Sequence, residues 1–190
     1  MNRVGFVLEN AKGKILDVGF NACSLHEKIV EKFGSNNVFG IDILVDKKYR
    51  GNYAKASAEE MPFKDKAFDS IIAGELIEHL KKPELFIKEA KRVLKSSGIL
   101  IITTPNRKSL INRIFHSYEA PLHFSLFTRE ELFALLEKNG FAISCFRCFP
   151  YTEESSAGSR HKRLFFLRKL CHYFLPKGLQ ENMCFVAKKL

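Results

Sequence analysis

One short stretch, residues 14–24, constrains the fold more than any other part of the chain. Residues 15–18 form a compact apolar run interrupted only by Asp17, which is typical of a buried strand, and Gly19 then breaks that strand. A strand, a tight turn and the start of a helix make the loop at which open α/β sheets hold nucleotide-like ligands. Because a carboxylate within an apolar strand costs free energy unless something binds it, Asp17 indicates a ligand or a hydrogen-bonded loop.

Strands and helices alternate along most of the chain. Short apolar runs predict seven strands, at residues 15–18, 37–42, 53–56, 68–74, 99–103, 141–149 and 183–188. Helical spacing of apolar residues predicts helices within residues 1–10, 25–33, 83–94, 128–139 and 160–175, and the first of these is expected to cover one edge of the sheet. Capping boxes are predicted where Ser24 precedes Glu27 and where Thr128 precedes Glu131. The alternation over the first five strands favours a parallel sheet wound on both faces.

The composition is that of a single globular domain, and we predict one domain over residues 1–190 with a basic helical insertion at about 152–181 between the last two strands. No apolar run approaches the length of a membrane-spanning helix. Five cysteines without a secretory signal fit a reducing cytoplasm better than a disulfide framework. Cys145 and Cys148 would point to opposite faces of one strand, so no metal site is predicted.

Positive charge is concentrated towards the end of the chain. The net charge is +10, and residues 158–190 contain eight Lys or Arg against one Glu. Residues 160–177 combine that charge with apolar residues at helical spacing, namely Leu164, Leu167, Cys171, Phe174 and Leu175. The favoured interpretation is a helix that covers a ligand pocket, and the other is an interfacial helix resting on anionic lipid. Nucleic acid is a less favoured partner for the same charge.

Polar residues follow three consecutive strands at their carboxyl ends, where such sheets bind ligands. Asp42 ends the second strand, twenty-three residues beyond Gly19, near the spacing of a carboxylate that accepts ribose hydroxyls. The third strand is followed by residues 57–59, which are small and polar enough to border an adenine ring. The first loop has one glycine where a pyrophosphate loop needs three, which disfavours a dinucleotide. S-adenosylmethionine carries no phosphate and suits this loop better.

Six motifs in this order resemble those of class I S-adenosylmethionine-dependent methyltransferases, and most closely the type 11 branch, which includes ubiquinone-type O-methyltransferases. The resemblance covers about residues 13–149. The motifs are Ile15-Leu-Asp-Val-Gly19, Gly40-Ile-Asp42, Ala58-Glu-Glu-Met-Pro-Phe63, Phe68-Asp69, Ile77-Glu-His-Leu80, and Arg92-Val-Leu-Lys95 followed by Gly98-Ile-Leu-Ile-Ile-Thr-Thr-Pro-Asn106. The resemblance implies a Rossmann-like α/β fold of seven strands in the order 3-2-1-4-5-7-6, with strand 7 antiparallel and helices on both faces.

The same resemblance implies a cofactor site for S-adenosylmethionine. The residues facing the methionine end would be Asp17, Gly19, Asn21, Glu75 and Leu76. The residues facing the ribose and adenine would be Asp42, Ile43, Ser57, Ala58 and Glu59. The chain departs from the family at three of its loop positions, since the family usually has glycine in place of Asn21 and Cys23 and often has Asp in place of Ser57.

Catalysis of methyl transfer to a hydroxyl calls for a base and for exclusion of water. The candidate bases are His123 and His79, with Glu78, Tyr118 and Glu119 as weaker ones, although a structural role in ordering its loop is the favoured interpretation of His79. The predicted function is methyl transfer from S-adenosylmethionine to a small-molecule or lipid-linked acceptor, at oxygen, by a monomer or homodimer. The alternatives are an RNA methyltransferase and a non-catalytic S-adenosylmethionine-binding protein. The expected location is the cytoplasm, with peripheral membrane contact through residues 160–177.

Overall fold

A computed structural model describes residues 1–22, 24–45, 51–114, 123–150 and 165–190. Seven strands form one sheet in the order β3-β2-β1-β4-β5-β7-β6, in which β7 runs antiparallel to both of its neighbours. Their bounds are β1 Ile15–Val18, β2 Val38–Asp42, β3 Tyr53–Lys55, β4 Phe68–Gly74, β5 Leu94–Pro105, β6 Phe141–Phe149 and β7 Asn182–Lys189. The predicted fold class and strand order are therefore confirmed.

Helices cover both faces of the sheet, as predicted. Their bounds are α1 Arg3–Asn10, α2 Leu25–Phe33, α3 Pro83–Val93, α4 Leu110–Ile114, α5 Arg129–Lys138 and α6 Phe165–Phe174. Buried residues of α1 and α2 pack on one face of the sheet, and those of α3 and α5 pack on the other. Among the described residues, no helix is both long and apolar enough to cross a membrane.

The central strands explain where the ligand edge of the sheet lies. β1, β4 and the second half of β5 are almost entirely buried, because parallel strands covered by helices on both faces exclude water. Their in-register parallel pairing brings the carboxyl ends of β1, β2 and β4 to one edge of the sheet. The predicted cofactor residues after these strands are therefore neighbours in space.

Three local predictions are wrong. Ser24 makes no capping bond, because its backbone is already helical (φ −61°, ψ −10°) and a capping side chain needs an extended backbone. The N-terminal helix was expected at an edge of the sheet, whereas the edge strands are β3 and β6. α1 lies instead over the middle, where its apolar residues join a cluster with residues of β5 and β7. The fifth strand was predicted at residues 99–103 but is longer. α3 ends at Val93, and β5 begins at once, at Leu94.

Other local predictions are confirmed. Thr128 and Glu131 form the expected capping box at the start of α5. Cys145 and Cys148 pack in clusters on opposite faces of the sheet. Along the chain, α6 follows β6 and precedes β7, and the predicted insertion at about 152–181 stays a prediction. Residues 151–164, which include the first part of that helix as predicted, lie outside the described residues, as do Cys23, Tyr118 and Glu119.

Candidate functional site

The first loop is fixed by a glycine that the sequence singled out. Gly19 has φ +78°, and its amide donates to the carbonyl of Ile41 at 2.8 Å, which joins the loop to β2. A Cβ atom at this position would lie 2.8 Å from Cδ1 of Leu76, which follows β4. Only glycine combines this backbone conformation with so close an approach. The loop after β1 therefore rests directly on the segment after β4.

Asp42 joins the loops that follow β1 and β2. Its Oδ2 accepts a hydrogen bond from the amide of Asn21 at 3.1 Å, and its Oδ1 accepts one from the amide of Leu44 at 2.9 Å. Each oxygen keeps a further lone pair for a ligand. The next residue, Ile43, leaves 65% of its side chain exposed. A fixed carboxylate beside an open aliphatic side chain fits a ribose with its adenine, so these residues suit the predicted cofactor.

Asp17 is used by the protein itself. Its side chain is 3% exposed, and its Oδ2 lies 2.8 Å from Nδ1 of His26, whose Nε2 lies 3.1 Å from the hydroxyl of Tyr53. Burial raises the pKa of the Asp17 carboxyl, and the hydrogen bond from His26 opposes that rise. Asp17, His26 and Tyr53 thus form a buried chain, which we call the relay. The relay ties β1, α2 and β3 together below the loop.

Aromatic packing surrounds the relay. The ring of Phe20 lies 4.8 Å from that of His26 and 5.0 Å from that of Tyr53, centroid to centroid. Phe20 also approaches β2 so closely that a Cβ at Gly40 would lie 2.7 Å from it. Sequence reasoning missed His26 and Tyr53, although a histidine on the buried side of α2, nine residues after a buried aspartate, is a usable signal. The first loop is thus supported by aromatic packing from Phe20.

The turn after β3 is built from the residues predicted to border the adenine. The Ser57 hydroxyl accepts from the amide of Glu59 at 3.1 Å, and Glu59 Oε1 accepts from the amide of Lys82 at 3.0 Å. Ala58 is 7% exposed and belongs to the main core cluster. These bonds fix the turn at the end of β3, and the predicted contact of the three residues with adenine stays a prediction.

Glu75 has an unusual backbone and a buried partner. Its φ is +55°, a strained value for a non-glycine residue of the kind that collects at functional sites. Its Oε1 lies 2.8 Å from Nη1 of Arg3, a side chain that is almost fully buried and that also donates to the hydroxyl of Thr103 at 3.3 Å. Sequence reasoning missed Arg3, because nothing in residues 1–10 indicates that α1 reaches the end of β4.

The two candidate bases lie together. His79 ends a short 3-10 helix, Ile77–His79, and its ring centroid is 4.9 Å from that of His123. The carbonyl of Glu78 accepts from the amides of Phe124 at 2.8 Å and Ser125 at 3.0 Å. These backbone bonds hold the segment that begins at His123 against the 3-10 helix, so the predicted pair of histidines is brought into one place.

Glu78 carries the most perturbed carboxyl of this region. It is 1% exposed, and its Oε2 accepts from the hydroxyl of Thr104 at 3.0 Å. Burial, with the nearby charge of Glu75, raises its pKa to about 8. One ligand atom from each of Glu78, His79 and His123 lies within 4.8 Å of the others, an arrangement that could hold a metal ion. The absence of a metal therefore stays a prediction from sequence.

A cavity of about 570 Å³ opens beside His123. Basic, acidic and aromatic side chains share its wall, which is formed by Lys81, Pro83, Glu84, Arg107, His123, Phe124, Ser125, Leu126, Phe127 and Glu131. Arg107 forms a salt bridge with Glu131 across this wall. The cavity is large enough for a small acceptor molecule.

Comparisons with known proteins show similarity to methyltransferases. A family model described as a methyltransferase domain, of the type 11 methyltransferases, matches residues 16–102. The ubiquinone biosynthesis O-methyltransferase of Pelagibacter ubique is 36% identical over 113 residues, covering 54% of this chain and 45% of that protein. The mitochondrial ubiquinone biosynthesis O-methyltransferase of Rattus norvegicus is 30% identical over 161 residues, covering 68% and 44%.

Solved structures share the fold over nearly the whole chain. A SAM dependent methyltransferase from Archaeoglobus fulgidus superposes with a TM-score of 0.72 at 20% identity, covering 98% of this chain and 90% of that one. The chain spans less than half of the length of the curated relatives it matches. The matching family model and the motif order identify residues 16–102 as a methyltransferase domain of the type 11 branch, and the solved structure shows that its fold extends over nearly the whole chain.

Proposed function

We propose that this protein transfers the methyl group of S-adenosylmethionine to an oxygen atom of a small-molecule or lipid-linked acceptor. The observation that carries the proposal is the Asp42 carboxylate, held by the amides of Asn21 and Leu44 at the edge of the sheet with Ile43 open beside it. The ubiquinone biosynthesis O-methyltransferases among the relatives favour oxygen as the methylated atom. We call the loops after β1, β2 and β4, with Gly19, Asp42 and Glu75, the cofactor edge.

The roles of the chain's own residues follow from this geometry. S-adenosylmethionine, when bound, supplies an activated methyl group. Asp42 accepts hydrogen bonds from the ribose hydroxyls, and Ile43 packs against the adenine. Gly19 allows the first loop to lie close to Leu76, which shapes the methionine end. These contacts fix the donor, so that the rate gain comes mainly from alignment with the acceptor and exclusion of water.

The acceptor side of the proposal rests on His123. Its ring lies 4.9 Å from that of His79 and borders the 570 Å³ cavity. With S-adenosylmethionine bound, an imidazole nitrogen of His123 would take the proton of the acceptor hydroxyl. The acceptor oxygen would gain the methyl group as the sulfur–methyl bond breaks, and S-adenosylhomocysteine would leave with the electron pair of that bond. His79 supports that ring, which agrees with its structural interpretation.

We further propose that the protein works in the cytoplasm as a monomer or homodimer and meets anionic membrane through residues 160–177, where a lipid-linked acceptor would be found.

Calorimetry with S-adenosylhomocysteine tests the cofactor assignment. We expect Asp42→Ala to weaken binding by about 2 kcal/mol, because the ribose hydroxyls lose a charged partner. Glu9→Gln, on the exposed part of α1, is the matched control and should bind as the parent chain does. No binding by the parent chain at millimolar ligand would overturn the proposal, and unchanged affinity in Asp42→Ala would place the ribose elsewhere.

A transfer assay tests the acceptor side. The chain is incubated with methyl-labelled S-adenosylmethionine and either simple phenols or extracted membrane lipids, and label is sought in ether-linked products. His123→Ala should lower kcat with little change in the KM for S-adenosylmethionine, since the base acts on the acceptor. Label found at nitrogen or carbon, with none at oxygen, would contradict transfer to oxygen while leaving cofactor binding intact.

A further inference from the structure

Helix α6 carries an apolar stripe that faces water. Phe166, Leu170 and Phe174 follow one another at helical spacing and are 80%, 47% and 80% exposed. Leu167 and Tyr173 widen the stripe and are also exposed. A stripe with this spacing normally faces the core of a globular protein. A helix that only covers a ligand pocket would not leave this stripe exposed to water. The outward side of α6 therefore needs a different partner from the one favoured by the sequence.

The stripe continues across a groove onto α4. A groove of about 400 Å³ runs between the two helices, and its wall consists of aliphatic or aromatic side chains and one cysteine, from Leu110, Ile111, Ile114, Leu167, Leu170, Cys171, Phe174 and Leu175. Ile114 and Leu110 are themselves 61% and 43% exposed. We call this stripe with its groove the α4–α6 face. So many exposed apolar side chains on one surface mark an interaction site.

Among the described residues of α4, α6 and the 3-10 turn Lys177–Leu179, every charged side chain is positive. Neither α4 nor α6 contains an acidic residue. Arg113 on α4 and Lys169 on α6 are exposed, as is Lys177 in the 3-10 turn that follows. An exposed apolar stripe flanked by Lys and Arg is the pattern of a helix that lies in the interface of an anionic membrane.

Other occupants fit these observations less well. Two copies of this face would bring like charges together, which opposes self-association. RNA phosphates would use the basic residues but would leave the aliphatic groove without a partner. An anionic bilayer meets both needs, because its headgroups pair with the cations and its acyl chains take up the apolar side chains. We infer that the α4–α6 face docks on an anionic phospholipid bilayer, with the groove turned towards the acyl chains.

Hydrogen bonds fix this face relative to the cofactor edge. Asn106, just after β5, donates to the carbonyls of Gly178 at 3.0 Å and Gln180 at 2.8 Å. Asn112 of α4 donates to the carbonyl of Glu181 at 3.2 Å. Gln180 in turn donates to the carbonyl of His172 in α6 at 3.1 Å. Both helices are thus anchored beside the carboxyl end of β5, at the edge of the sheet that also carries Glu75. The role of docking rests on the proposed function, in which a lipid-linked acceptor is methylated, whereas binding to the bilayer needs no methyl transfer.

Vesicle flotation of the full chain tests the inference. The probes are phosphatidylcholine vesicles with and without phosphatidylglycerol, at low and high salt. We expect binding at least about tenfold stronger to the anionic vesicles, falling as salt rises. The double variant Phe166→Ser/Phe174→Ser should lose about tenfold or more in binding, because two aromatic anchors are removed. Leu190→Ser is the matched control, since Leu190 is 78% exposed at the far end of β7, and it should bind as the parent does.

Three results would overturn the inference. They are equal binding to neutral and anionic vesicles, a dimer that dissociates in the double variant, and RNA binding that the same variant abolishes without any vesicle binding. Calorimetry with S-adenosylhomocysteine on the same variants separates this inference from the proposed function. We expect unchanged cofactor affinity in the double variant. A parent chain that binds vesicles but no S-adenosylhomocysteine would contradict the proposed function and leave the docking surface standing.

Discussion

The cofactor edge and the α4–α6 face differ in how firmly the fold holds their side chains. Asp17 lies in β1, just before the cofactor edge, and is buried against His26. Asp42, at the cofactor edge, is held by two backbone amides. The protein therefore fixes both groups before any ligand arrives. At the α4–α6 face, Phe166 and Phe174 stand in water, and little of the fold depends on them. The comparison predicts that residues of the cofactor edge serve both stability and binding, whereas residues of the α4–α6 face serve binding alone.

Breaking the relay should have the largest effect on stability. His26→Phe keeps a ring beside Phe20 but leaves the Asp17 carboxylate buried without its partner. We expect a loss of about 3–5 kcal/mol in the free energy of unfolding, measured by urea denaturation at neutral pH. The double variant Asp17→Asn/His26→Phe removes the buried charge and should recover part of that loss. Equal stability of the two variants would show that the charge of Asp17 is not what the relay compensates.

The pH dependence of Glu78 gives the next largest effect. Its pKa in the folded chain is about 8, above the ordinary value of 4.5, so the unfolded chain releases this proton first as the pH rises. The folded state therefore loses stability between about pH 4.5 and 8. Glu78→Gln has no such proton. Its free energy of unfolding relative to that of the parent should therefore rise across this range, by on the order of 3 kcal/mol. Urea denaturation at pH 5 and pH 9 measures it.

The matched control for Glu78 is an exposed carboxylate on a neighbouring helix. Glu84→Gln, in the first turn of α3, should shift stability by a similar small amount at both pH values. If Glu78→Gln also gives the same difference from the parent at pH 5 and pH 9, Glu78 is not protonated in the folded chain near neutral pH. That result would favour Glu78 as a proton acceptor over a purely structural role.

Gly19→Ala separates the stability of the cofactor edge from its binding. The new Cβ would have φ +78° and lie 2.8 Å from Leu76, so we expect a loss of about 1–2 kcal/mol in stability and a much larger loss of S-adenosylhomocysteine affinity. Gly34→Ala is the matched control, because Gly34 has φ +81° but no atom within 4 Å of a Cβ. It should show the backbone cost without the loss of binding. Equal affinity in both variants would show that contact with Leu76 does not shape the site.

Sequence patterns predicted the sheet because each strand carries its own signal, and the family resemblance supplied the strand order. Gly19 and Asp42 were also predictable, since a strand end and a fixed spacing mark them. The relay and the buried Arg3 were not, because both join residues that only the folded sheet brings together, such as His26 with Tyr53. The sequence also did not show that the α6 stripe faces outward. Apolar spacing predicts that a stripe exists, but it does not predict which side of the helix packs on the protein.

The smallest predicted effect on stability tests the other side of the comparison. Phe174→Ser removes a side chain that is 80% exposed, so the free energy of unfolding should change by no more than about 0.5 kcal/mol. Phe86→Ser, in the buried side of α3, should instead cost about 3 kcal/mol or more, because it opens a cavity and buries a hydroxyl. Paired urea melts measure both. A large loss in Phe174→Ser would mean that the α4–α6 face contributes to the fold, and the division between a face built for binding and an edge that serves both purposes would not hold.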